Sequence, residues 1–160
     1  MPGDLLWEDV QCFFDIDLMG SLPDVYVPDT SVEEWQAVLD LIRTSGWRYE
    51  YSVGGTVLPL PPAEAVLSRP ADAEMPDLRV WPAPDVLAIF RFLAPTEIDF
   101  DIDLHELQGQ DRLDLLCDFF ATIGRRLGKP VLMTPEGDYN HPVLGYDVTA
   151  DRVIRLAEPW

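Results

Sequence analysis

Glu97, Asp99, Asp101 and Asp103 occupy alternate positions of Glu97-Ile98-Asp99-Phe100-Asp101-Ile102-Asp103-Leu104. On a β-strand, alternate side chains share a face, so these carboxylates would stand about 6.5–7 Å apart, with Ile98, Phe100, Ile102 and Leu104 on the opposite side. Three uses fit such a row. It could hold a hard cation such as magnesium or calcium if loops supplied further oxygens. It could present a negative stripe to a basic partner. It could also be a solvated sheet face with no ligand. An EF-hand is excluded, because no D-x-[DN]-x-[DN]-G loop ending in Glu occurs. Asp15 and Asp17 would extend the row if their segment paired with this strand, although with Asp24 and Asp29 they serve equally well as turn formers. Glu136, in a Pro-Glu-Gly-Asp turn, is a further exposed contact candidate.

Other chemistry finds less support. His105 and His141 are the only histidines, and no local motif brings either to Cys12 or Cys117. No G-x-S-x-G elbow is present, so nucleophilic hydrolysis lacks its parts. Gly54-Gly55 is followed by Thr56-Val57-Leu58-Pro59, not by a helix start and a lysine, so it is not a phosphate cradle. No catalytic residue, metal site or cofactor is expected on this reading.

The charge is more informative. The first 42 residues carry ten Asp or Glu and no Lys or Arg, within a chain of net charge −18. Such a surface repels phosphate backbones and anionic lipid and attracts basic proteins over roughly a Debye length, about 8–10 Å. Basic residues are scattered except for Arg125-Arg126 and Lys129, which suit a helix C-terminus, so neither nucleic acid nor membrane is an expected partner. Five Trp, seven Phe and five Tyr place the charge on a folded body of 160 residues, enough for one core. Cys12 and Cys117 lie among large apolar neighbours and read as two buried thiols. With no basic n-region and no apolar run of about 18–20 residues, a cytoplasmic location is the expectation.

These residues need elements to position them. Ser31–Ser45 has apolar residues at Val32, Trp35, Val38, Leu39 and Ile42, a cap at Thr30 or Ser31 and acids at Glu33 and Glu34, which predicts a helix. A strand over 47–53 and a hairpin through Gly54-Gly55 into 56–60 should follow. A short helix at 62–68, an exposed connector at 69–77, and strands at 78–81, 86–92 and 97–104 come next. Residues 110–127 form a second amphipathic helix through Leu113, Leu116, Phe119, Phe120, Ile123 and Leu127, closed by Gly128. Strands at 129–134, 143–148 and 152–156 finish the chain. The outcome is a single α+β domain, a mixed or mostly antiparallel sheet packed by two main helices. A weak strand–helix–strand repeat is visible around 24–55 and 97–137.

The order of acidic strand, amphipathic helix (DRLDLLCDFFATIGRRLGKPV), buried strand, Glu-bearing turn and final hairpin, with Ser31–Gly55 ahead of it, resembles the small immunity proteins of bacterial toxin–immunity systems. The resemblance spans about half the chain and carries no residue-level signature. It implies a non-enzymatic, acidic, cytoplasmic inhibitor that binds a cognate toxin, and the charge suits a basic, nuclease-like one. The alternatives are a small metal-dependent enzyme built on 97–105 and a regulatory domain acting as a homodimer.

Overall fold

Alternation of apolar and polar residues builds a sheet with one dry face and one open face. The computed structural model describes residues 5–158, and among them nine strands join in one sheet. They are β1 (Asp24–Pro28), β2 (Arg48–Val53), β3 (Thr56–Leu58), β4 (Asp77–Ala83), β5 (Val86–Ala94), β6 (Glu97–Ile102), β7 (Val131–Thr134), β8 (Leu144–Asp147) and β9 (Arg152–Arg155). The order is β3-β2-β4-β5-β6-β1-β7-β8-β9, with every neighbouring pair antiparallel. The helices are α1 (Trp7–Val10), α2 (Ile16–Met19), α3 (Val32–Thr44), α4 (Ala63–Leu67) and α5 (Gln110–Leu127). None of the described helices is long and apolar enough to cross a membrane. The architecture is α+β.

Because β1 is antiparallel to both β6 and β7, those two strands run parallel to each other on either side of it. The β6–α5–β7 crossover therefore straddles β1. The β1–α3–β2 crossover spans the intervening β6, β5 and β4. This connectivity puts β1, from the acidic N-terminal quarter, beside the carboxylate strand β6.

The dry face is held by α3 and α5. Trp35, Val38, Leu39 and Ile42 of α3, and Leu113, Leu116, Phe119, Phe120 and Ile123 of α5, are buried on Val25, Val27, Phe90, Ile98, Phe100 and Met133 of the sheet. Phe100 is central, stacked on Phe90 at 4.7 Å between centroids and met edge-on by Phe119 at 5.5 Å and Phe120 at 6.1 Å. Each such burial contributes roughly 1.5–3 kcal/mol. The Ser31 hydroxyl caps α3 by accepting from the Glu34 N–H at 3.3 Å. The Trp35 indole N–H donates to the Ala94 carbonyl at 3.0 Å, and the Thr30 hydroxyl to that of Pro95 at 2.7 Å, which fastens the β5–β6 hairpin to the start of α3. Lys129 Nζ reaches both the Asp29 carbonyl and Glu34, tying the end of α5 to the same place.

Four expectations change. The N-terminal segment is not mere turns: α1, a 3-10 turn (Gln11–Phe14) and α2 bury Val10, Phe13, Phe14 and Met19. Asp17 lies on α2 and Asp15 caps that helix by accepting from the Asp17 N–H, so they do not extend the β6 row. The acidic strand stops at Ile102, and Asp103 instead caps a 3-10 turn (Leu104–Glu106) that turns the chain toward α5. Cys12 and Cys117 are partly rather than fully buried against the core.

Candidate functional site

The open face of β1 and β6 gathers the acids. Cross-strand register sets Asp24 opposite Asp101, Tyr26 opposite Asp99 and Pro28 opposite Glu97, while Val25 and Val27 face Phe100 and Ile98 on the dry side. On the other flank, Ile89 and Arg91 of β5 stand opposite Asp101 and Asp99. Four carboxylates, Asp24, Glu97, Asp99 and Asp101, thus share one patch with the Arg91 guanidinium. That cation is spent on one of them: Arg91 Nε and Nη2 lie 2.7 and 2.6 Å from Asp101 Oδ2. The ladder pairs Arg91 with Asp99, yet the guanidinium leans diagonally to the neighbour.

Asp99 is left with little. It is 6% exposed, and its Oδ1 is fully buried with no hydrogen-bond partner among the described residues. Burial, then the neighbouring Glu97 carboxyl within hydrogen-bonding reach, then the charges of Asp24 and Asp101, push its carboxyl up to about 8. Asp99 therefore holds a proton at neutral pH, in contact with Glu97. Asp24 is also shifted upward, first by burial and then by Asp101 and Glu136, although the Gly137 N–H donating to its Oδ2 at 2.9 Å pulls the other way.

Two tyrosines cover the patch. Tyr139, from the loop after β7, approaches Tyr26 with ring centroids 5.8 Å apart, and the Tyr26 hydroxyl donates to the Tyr139 carbonyl at 3.3 Å. Burial and the four surrounding carboxylates push the Tyr139 hydroxyl up to about 12, and Tyr26 is raised by burial with Glu97 and Asp99. The loop is tied down from below. The Glu136 N–H donates to the Met19 carbonyl at 2.8 Å, and Glu136 Oε1 accepts from the Leu22 N–H at 2.9 Å. A bulge in β5 between Arg91 and Ala94 borders the patch, where strands commonly re-aim side chains.

Of the residues singled out in the sequence, Glu97, Asp99 and Asp101 come together. Asp103 turns aside to accept from the His105 N–H and ring Nδ1, at 2.9 and 2.8 Å. Glu136 flanks the patch as a loop tie, while Asp17 lies on α2 and Asp15 caps it. Asp24, Tyr26, Arg91 and Tyr139 were not singled out as members. The signal for the first two was present, since Asp24-Val25-Tyr26-Val27 alternates as cleanly as β6. His141 bonds Asp138 at 2.8 Å. Among the described residues no three His, Cys, Asp or Glu side chains converge closely enough to hold a metal ion, so the spread of the four carboxylates does not suit one small cation.

Comparison with protein families, curated proteins and solved structures finds no match to this chain.

Proposed function

We propose that this protein is a non-enzymatic inhibitor of the immunity type, acting in the cytoplasm, whose open sheet face engages a basic, nuclease-like toxin. The observation that carries the reading is the juxtaposition of Asp24 on β1 with Glu97, Asp99 and Asp101 on β6, where Arg91 is bound to Asp101. Like charges directly opposite one another cost stability, so a fold that keeps Asp24 facing Asp101 gives up stability at that spot. A basic partner recovers the loss on binding. The patch's carboxylates would take the place of the phosphates that the partner's arginines and lysines otherwise hold, and the field of a chain of net charge −18 would speed encounter. Tyr139, 43% exposed at the rim, is an aromatic anchor of the kind that dominates interfaces.

The test expresses the products of the genes flanking this one, each alone and together with this chain. The expected result is a growth-arresting neighbour rescued by this protein, with rescue weakened by Asp24→Asn combined with Asp101→Asn. Rescue unaffected by those substitutions, or no arrest to rescue, would overturn the proposal.

A further inference from the structure

Asp99 Oδ1 faces a choice of two cations. A buried carboxyl oxygen without a donor is costly, and the cost is relieved either by a proton or by an external cation. Within the molecule no donor reaches it, because Arg91 is committed to Asp101, so a proton on Asp99 serves instead. The groups facing Asp99 are Glu97 and Asp101 on its own strand, Asp24 and Tyr26 on β1, Arg91 on β5 and Tyr139 from the loop after β7. Apart from Arg91 these are acids or aromatic rings.

We infer that Asp99 and Glu97, beside the rings of Tyr26 and Tyr139, form a receptor for one arginine side chain of a partner protein, whose guanidinium takes the place of the proton on Asp99. The inference rests on the open face being a partner surface. Three features select arginine. Its planar fork spans two carboxylates, where a small ion would need ligands to converge and these do not. Its flat face stacks on tyrosine, and Tyr139 offers an exposed ring. Arg91 on Asp101 shows a guanidinium already accepted on the same face, one alternate position away. The exchange balances: one guanidinium cation enters, one proton leaves to solvent, and the net charge of the site is unchanged. Binding is therefore tighter at higher pH across the range in which Asp99 would otherwise be protonated.

The experiment follows the Asp99 side-chain carbon by NMR in the full chain while pH is varied, with ethylguanidinium as the probe at matched ionic strength. A ligand that binds only the ionised form lowers the apparent pKa by about one unit when its free concentration is about ten times its Kd. That shift is expected, and Glu97→Gln and Tyr139→Ala should each reduce it, while Asp15→Asn should not. No shift, an equal shift from ethylammonium, or a larger one from magnesium would overturn the inference. The rescue experiment is independent: rescue with no guanidinium shift refutes this receptor alone, and a shift without rescue refutes the immunity reading alone.

Discussion

Tyr146 on β8 lies against Gly124 of α5 so closely that a methyl group on Gly124 would overlap the ring, 2.7 Å from Cε2 and 2.8 Å from Cγ. The Tyr146 hydroxyl donates to Asp151 Oδ1 at 2.5 Å, and Arg125 Nε grips the same oxygen at 2.7 Å, so the ring has little freedom to yield. Gly124 is therefore where α5 meets the far end of the sheet.

Gly124→Ala should destabilise the protein by about 1–3 kcal/mol through overpacking, against the usual helix gain of about 1 kcal/mol for replacing glycine with alanine. Urea denaturation of the single variant and of Gly124→Ala combined with Tyr146→Ala checks it. The two effects should be strongly non-additive. Additive losses would place the cause elsewhere.

Phe120 is fully buried beneath Phe100. Phe120→Ala should cost about 3–5 kcal/mol by leaving a cavity. Asp111→Asn, at the exposed first turn of α5, should cost well under 1 kcal/mol. Equal midpoints for the two variants would contradict the packing of α5.

Much of this packing was legible in advance. The periods of α3 and α5, the caps at Ser31 and Gly128, and the Gly54-Gly55 hairpin are local signals, and each element forms within a residue or two of where its pattern points. The unread part is non-local. Nothing in residues 24–28 states that they enter between β6 and β7, because that register is decided by the topology of two crossovers. The same applies to Asp99. Alternation assigns it to the open face and gives no hint that it is 6% exposed there, or that Tyr139, forty residues further on, comes near enough to feel its charge from a loop tied to Met19 and Leu22. The four-residue helices before β1 are too short to show a period.

Stability should fall as pH rises from about 4 to 8. Asp99 is raised from 3.8 to about 8 in the folded protein, so in that window the unfolded chain has lost the proton that the folded chain keeps. The sign is negative, with a slope of up to about 1.4 kcal/mol per pH unit from this group. Asp99→Asn should remove that contribution and be more stable than the parent above pH 8, read as the difference between two denaturation series. Parallel curves for parent and variant would show that Asp99 ionises normally.

Association with an arginine-rich peptide should slow at least about tenfold between low and physiological salt, as expected for electrostatic steering. Glu97→Gln, Asp101→Asn and Asp24→Asn together should slow it further at low salt with the fold intact. Asp15→Asn with Asp17→Asn should do less, since neither residue lies on β1 or β6 and Asp15 accepts from the Asp17 N–H. Stopped-flow fluorescence measures both. Equal effects from the two sets would mean that total charge, not this face, governs encounter.

The two-residue repeat of β1 and β6 divides their side chains into two inventories with little in common. Val25, Val27, Ile98, Phe100 and Ile102 answer to the core, while Asp24, Tyr26, Glu97, Asp99 and Asp101 answer to whatever meets the open face. Asp24, Tyr26, Glu97 and Asp101 are the more exposed members of the second set, and substitutions there leave the hydrophobic packing of the first in place, whereas Asp99 is itself buried. What meets this face could therefore change by rewriting four outward positions, and an engineer could build a library on the same four without redesigning the scaffold beneath them.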